Sequence, residues 1–299
     1  MNKLLILTTL YIVAAGASAQ AIDETVDADP NGAVEIDNDI GDIAVSGWDE
    51  ARVHVTGELS ENAERIDVRR EGNRVIVEVV YPPESRNSGF RNYDETDLVI
   101  SVPRGSSLFI DTVSGDVMVA RVDGEQDIRT VSGDVSSRGV GDMARFASTS
   151  GDIEITGTDV TGTTRAEAVS GDVLLAQVSG RIDAQSVSGD VELRGTLLES
   201  AELQSVSGDL LVSGQLSSDA RVRARTTSGD VEVYLQGDGA GQYEISTMSG
   251  EIDNCFGPRV RPNSSGFGPS NSTLRFTEGS SGARVDVATL SGDVELCRE

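Results

Sequence analysis

"TVSGDV", residues 112–117, returns unchanged at 130–135, and close variants continue as far as "TLSGDV" at 289–294. The Ser of this hexad falls at 114, 132, 150, 170, 188, 207, 228, 249 and 291. The steps between them are 18, 18, 20, 18, 19, 21, 21 and 42. A period near 20 residues with one fixed Gly is the signature of a solenoid. The last step is twice 21, as though one coil had lost its signature.

Each unit reads the same way on both sides of the Ser. An alternating stretch precedes it, as in "LFIDTV" (108–113) or "AELQSV" (201–206), and a second follows "SGD", as in "VMVARV" (117–122). Alternation of this kind is a strand with one buried face. A second, ragged corner follows, usually with Gly, at 124, 139, 157, 180, 195, 214 and 237. The expected fold is therefore all-β: a parallel β-solenoid with about 18–21 residues per coil. Its coils would stack about 4.8 Å apart with right-handed crossovers.

The corner has a local chemistry. Gly115, Gly133, Gly151, Gly171, Gly189, Gly208, Gly229, Gly250 and Gly292 supply φ > 0 without steric cost. The acid after each, Asp in eight and Glu251 in the ninth, can bind nearby backbone N–H groups. Stacked acids also repel, by about 0.9 kcal/mol per neighbour even at water's dielectric. That raises an alternative, a calcium row on Asp116, Asp134, Asp152, Asp172, Asp190, Asp209, Asp230 and Asp293, with Glu251 in the remaining position. Calcium-binding rolls, however, repeat their turn every nine residues on both sides. No other cofactor is expected.

The chain divides into an export segment (1–19), an irregular N-terminal β region or cap (20–105) and the solenoid proper (106–299), with an inserted loop at about 257–272. In the first segment Lys3 is followed by "LLILTTLYIVAAG" and "ASA", the order of a signal peptide cut after Ala19. Nothing else approaches a membrane span. The mature chain is expected to be exported, to periplasm, outer cell surface or medium. Within the cap, "NDIGDIAV" (38–45) resembles a degenerate SGD corner, and "ERIDVRREGNRVIVEVVY" (64–81) reads as a hairpin around Gly72–Asn73. "PPESRNSGFRNYDE" (82–95) reads as an exposed loop.

Cys255 and Cys297 are the only cysteines, and each lies six residues after its Ser. If those corners occupy neighbouring coils, the Cα atoms fall within disulfide range, and the oxidising compartment permits the bond.

The formal charge is −26, and Lys3 is the only Lys. This excludes nucleic acid, which needs a basic patch, and disfavours bare anionic lipid. An envelope or surface protein or a glycan remains as partner.

The opening "VEIDNDIGDIAVSGWD" (34–49), the entry "DLVISVPRGSSLFIDTVSGDV" (97–117) and the repeated SGD corner together resemble the bacterial putative-adhesin family, a group of unknown function built as cell-envelope β-solenoids. The resemblance implies a parallel solenoid in the envelope or at the surface. It brings no catalytic residues with it.

Catalytic chemistry finds little support. His54 is the sole His and sits in a strand-like "RVHVTG"; a Ser-His-Asp triad would have to use it. The enzyme alternative is a carbohydrate-active β-helix, a polysaccharide lyase or hydrolase. Acids on adjacent coils would lie near the roughly 5 Å that a retaining glycosidase uses, and Arg221, Arg223 and Arg225 are the nearest basic group. Yet the acid recurs in nearly every coil, as a corner residue does, and the Arg cluster alternates as a solvated strand face does. A Thr array for ice binding is the third class. The residues two before the Ser are Thr112, Thr130, Ser148, Ala168, Ser186, Ser205, Thr226, Thr247 and Thr289, and such an array would have to be exposed. The reading that follows is an exported, non-catalytic module for adhesion, scaffolding or partner binding, with calcium-dependent adhesion as a further alternative.

Overall fold

The computed structural model describes residues 20–82, 94–158, 160–258 and 272–299. The export segment, most of the 82–95 loop and most of the 257–272 insertion lie outside them. Every regular element among the described residues is a β-strand.

One coil is two strands around one SGD corner. Ser107–Ser114 leads into the corner and Val117–Ala120 leaves it. The next coil, Gln126–Ser132 and Val135–Arg138, lies on it in parallel, with Leu108 opposite Gln126, Ser114 opposite Ser132 and Val117 opposite Val135. The same register carries on through Met143–Ser150 and Ile153–Thr156.

Alternation sends every second side chain inward. Ile110, Ile128, Phe146, Ala166, Ala184 and Leu203 come from the first strands of successive coils and are all buried. Val117, Val135, Ile153, Val173 and Val191 face them from the second strands. Each such aliphatic side chain contributes about 1.5–3 kcal/mol by leaving water. Size is balanced along the stack: Phe146, the one buried Phe among the described residues, sits between Ile128 and Ala166. Some buried positions are polar. Gln126 is fully buried, accepts from Ser137 Oγ at 2.6 Å and donates to the carbonyls of Val122 and Gly139. Nothing in its alternation pattern sets it apart from a Leu.

The ragged corner changes character along the chain. Early coils break there. From Val173 to Ser228 the strands run straight round it: Val173–Gln185, Val191–Gln204 and Leu210–Ser228 are continuous, with register shifts at the bend. Arg121 and Gln177, the non-Gly residues with positive φ among the described residues, both sit at this side of the coil.

Both ends are threaded out of order. At the N-terminal end the first coil, Ala33–Ile40 with Ile43–Trp48, pairs with the Ser114 coil on one side. On its other side it pairs with Arg74–Val80 and Asp97–Pro103, which come later in the chain but lie further out. That outer coil is closed by antiparallel strands, Arg65–Glu71 on one half and Arg52–Leu59 on the other, with Gln20–Asp27 beyond the latter. The region 20–105 thus holds two further coils and their cover.

The C-terminal end mirrors this. Arg221–Arg225, the last part of its long strand, pairs with Arg284–Ala288 and not with the next segment in sequence. Gly241–Ser249, with Ile252–Asn254, stacks outside Arg284–Ser291 and Val294–Arg298. Ser272–Glu278 closes the end antiparallel to Gly241–Ser249. This corrects the lost-coil reading of the 42-residue step. The described part of the extra stretch is an antiparallel cover strand, and the last coil returns beneath the one before it.

Candidate functional site

The SGD corners stack into a column with four distinct rows. The first row, two residues before the Ser, is buried: Thr112, Thr130, Ser148, Ala168, Ser186, Ser205, Thr226, Thr247 and Thr289 all point inward. This overturns the ice-binding array, which needs those groups in solvent. In the C-terminal coils their hydroxyls donate to the corner Gly carbonyl of a neighbouring coil: Ser186 to Gly171, Ser205 to Gly189, Thr226 to Gly208, Thr289 to Gly229 and Thr247 to Gly292, at 2.9–3.1 Å. Thr112, Thr130 and Ser148 hold buried hydroxyls without a partner.

The second row is apolar and outward. Val131, Val169, Val187, Val206, Leu290 and Met248 are 46–50 % exposed, in that spatial order. Val113 is half-buried, and Thr149 and Thr227 interrupt the row.

The third row is the Gly column, and its requirement differs from the expected one. Only Gly115, Gly133, Gly229 and Gly292 have φ short of the extended region, at +140° to +158°. What all nine share is contact. A Cβ on any of them would lie 2.0–2.1 Å from the Gly carbonyl oxygen of the neighbouring coil. Gly is there because backbone rests on backbone.

The fourth row is acidic. Asp134 N–H donates to Asp116 Oδ1, Asp152 to Asp134, Asp172 to Asp152, Asp190 to Asp172, Asp209 to Asp190, Asp230 to Asp209 and Asp293 to Asp230, at 2.7–2.9 Å. The ladder runs past the repeat at both ends. Asp116 N–H donates to Asp42, Asp42 N–H to Asp97, and Glu251 N–H to Asp293. Each bond contributes about 0.5–1.5 kcal/mol net, enough to offset the roughly 0.9 kcal/mol of repulsion between neighbouring carboxylates. The Asp carboxylates are exposed, each with one oxygen on a backbone donor. Among the described residues, the one group of three potential metal-ligand atoms lying within 4.8 Å of each other is Cys255, Glu295 and Cys297, and its two sulfurs are bonded to each other.

That bond is the expected disulfide. Cys255 and Cys297 are joined across neighbouring coils with Cα atoms 4.8 Å apart. Next to it Tyr243 stacks on Phe276 with ring centres 4.6 Å apart, Phe256 meets both edge-on, and the Arg298 guanidinium lies 4.0 Å over the Phe256 ring. Tyr243 donates its hydroxyl proton to Gly239 O. Burial, chiefly, pushes its pKa up to about 12.

The outward face of the first strands carries the Arg cluster seen in the sequence. Arg223 pairs with Glu202 at 3.4 Å and Arg225 with Asp286 at 3.0 Å, and Arg275 of the cover strand pairs with Glu244. Among the described residues Arg221 has no acid partner; the out-of-order coil sets Arg284 directly opposite it. A groove of about 830 Å³ runs over this part of the face. His54 lies on the opposite end of the molecule. Its Nε2 is 2.9 Å from Asp23 Oδ1 and its ring stacks on Trp48.

The family model described as Toastrack DUF4097 matches residues 32–297, from the first coil to the disulfide. The chain belongs to this family. No curated protein matches it. Among solved structures, the Toastrack chain is similar to a "putative adhesin" from Bacteroides fragilis, with 12% identity over 93% of this chain and 97% of that one and a TM-score of 0.43. It is also similar to a "putative cell adhesion protein" from Clostridium sporogenes, with 14% identity over 94% and 100% and a TM-score of 0.23. A third, a "putative adhesin" from Parabacteroides distasonis, has 7% identity over 93% and 98% and a TM-score of 0.27. Among the described residues of this Toastrack chain no helix is long and apolar enough to cross a membrane.

Proposed function

We propose that this Toastrack chain is an exported, non-catalytic module of the bacterial cell envelope that binds a surface protein or glycan for adhesion or scaffolding. The exposed apolar row at the corner carries this reading. Aliphatic side chains scattered singly on a surface need no explanation, but a row in register along a stack marks an interaction surface. Export rests on the leader segment, and the compartment within the envelope or beyond follows from the partner.

The test uses the mature chain and a triple variant, Val169→Ser, Val187→Ser and Val206→Ser. These side chains are solvated, so the melting temperature should stay within a degree or two. Binding to intact cells or envelope fractions should fall about tenfold. Unchanged binding would remove the apolar row as the contact surface.

One observation favours a second reading, a carbohydrate-active enzyme. The groove gathers Glu202, Glu244 and Asp286 with several Arg. A glycosidase acid must hold a proton at neutral pH, through burial or a like charge. Here all three carboxylates are solvated and each is matched by an Arg, so the groove suits binding better than acid catalysis. Release of reducing or unsaturated ends from a polyuronate, abolished by Glu202→Gln, would establish the enzyme.

A further inference from the structure

We propose that Arg221 and Arg284, continued by Arg181, form a site for the anionic groups of an acidic polysaccharide. The inference rests on the binding-module reading and names the ligand class for one face of it.

The row is set by register. Arg181 lies opposite Ser200, Ser200 opposite Arg221, Arg221 opposite Arg284, Arg284 opposite Gln242, and Gln242 opposite Thr277. It contains no acid. The row beside it, Asp183, Glu202, Arg223, Asp286, Glu244 and Arg275, sets two acids before each Arg and closes on itself in ion pairs. Among the described residues Arg181, Arg221 and Arg284 make no ion pair and no side-chain hydrogen bond.

Such an arrangement runs against the rest of the molecule. The chain has 50 acids for 24 bases, so pairing an Arg is easy, yet two stand side by side unpaired. Like charges directly opposite on adjacent strands destabilise a sheet. The threading creates the contact: stacked in chain order, Arg221 would face Gln242. An anion between the two guanidinium forks would relieve the repulsion, and the planar fork matches a carboxylate or sulfate with two parallel hydrogen bonds.

The surroundings select the polymer. Arg221 and Arg284 line the groove together with Ser200, Gln242 and Thr277, neutral polar groups suited to sugar hydroxyls. The spacing of adjacent coils, about 4.8 Å, is close to the length of one sugar residue. Nucleic acid would need a broad basic surface, and this row is flanked by acids. An acid-bearing glycan presents its charges singly among hydroxyls, as the groove presents its cations.

The experiment is saturable binding of the full mature chain to polygalacturonate, dextran sulfate and neutral dextran, at low and high salt. Binding to an acidic polymer and none to dextran is expected, and the two acidic polymers distinguish carboxylate from sulfate. Arg221→Gln with Arg284→Gln should weaken it about tenfold or more, whereas Arg138→Gln, an exposed cation elsewhere, should not. Removing like charges should leave the melting temperature of the double variant at or above that of the unaltered chain. Absence of binding, an equal loss with Arg138→Gln, or a lowered melting temperature would each overturn the site. If cell binding survives the double variant while no acidic polymer binds, the glycan assignment falls and the module reading stands. If the polymer binds and is cleaved, the site stands and the non-catalytic reading falls.

Discussion

The middle of this molecule and its ends solve one problem in opposite ways. Between Ser114 and Ser228 each coil lies on the coil before it in sequence, and one local rule suffices: an aliphatic strand, a Gly that lets backbone touch backbone, an Asp that accepts the next coil's N–H. The ends have no further coil to receive those groups. An open parallel edge would recruit another chain. There the chain leaves sequence order, lays antiparallel strands over the last coil and, at one end, adds a disulfide and an aromatic cluster. A repeat specifies its own interior; closure has to be specified separately.

The sharpest way to break the comparison is the disulfide. Replacing both Cys255 and Cys297 by Ser should cost about 4 kcal/mol for a loop of 42 residues in the chain-entropy model. Hydrogen exchange should show the loss concentrated in 241–256 and 284–298, with the middle still protected. Uniform deprotection would show that the ends hold the middle together.

Within the middle, Gly189→Ala should cost about 3 kcal/mol or more, because its Cβ would meet Gly171 O at 2.1 Å. Gly72→Ala, in the hairpin of the N-terminal cover, has nothing within 4 Å and φ of +67°. It should cost only about 1–2 kcal/mol, by chemical denaturation.

A finer test separates coils that share the rule. Thr226 donates to Gly208 O, while Thr130 has no partner. Thr226→Val should destabilise by about 1 kcal/mol, and Thr130→Val should be neutral or stabilising. The Asp ladder belongs to the same series. Asp190→Ala frees the Asp209 N–H that it now accepts and should cost about 1 kcal/mol, whereas Asp190→Asn keeps an acceptor. A melt of the unaltered chain in chelator and in calcium at constant ionic strength should show no calcium-specific rise, since a native-state ligand must raise the transition. A rise that Asp190→Asn abolishes would make the ladder a cation site.

The last effect is confined to alkaline pH. The buried Tyr243 is held up to about 12, against about 10 in an unfolded chain. Its contribution is complete below pH 10 and is lost as pH rises from about 10 to about 12. The C-terminal end should loosen over that interval, followed by tyrosinate absorbance and exchange, and Tyr243→Phe should flatten the loss.

Much of this was legible in the residues because the repeat is local. The spacing of Ser114 to Ser228 gives the coil, and the equal offsets of Cys255 and Cys297 from their Ser residues point to the bridge. The order of the last two coils was not legible, since Arg221–Arg225 matches the pattern of Gly241–Ser249 as well as that of Arg284–Ser291. Only three-dimensional closure chooses between them. The pairing of Arg221 with Arg284 was hidden for the same reason. The Gly column could be seen but its cause could not: a turn that needs positive φ and a turn that needs contact are spelled with the same residue.

The out-of-order threading also bears on how the chain comes to be assembled. A solenoid stacked in sequence could settle coil by coil as it emerges. Here the strand Ala33–Ile40 has to wait for Ser107–Ser114 to take its inner edge, and Arg221–Ser228, already paired with Ser200–Gln204 on one side, receives no neighbour on its other side until Arg284–Ser291 appears. A chain interrupted before the last coil would keep a bare edge in its interior rather than at its tip. Vectorial emergence therefore ends with a keystone step: the final residues lock the stack from within, and a truncated product is left recognisably unfinished.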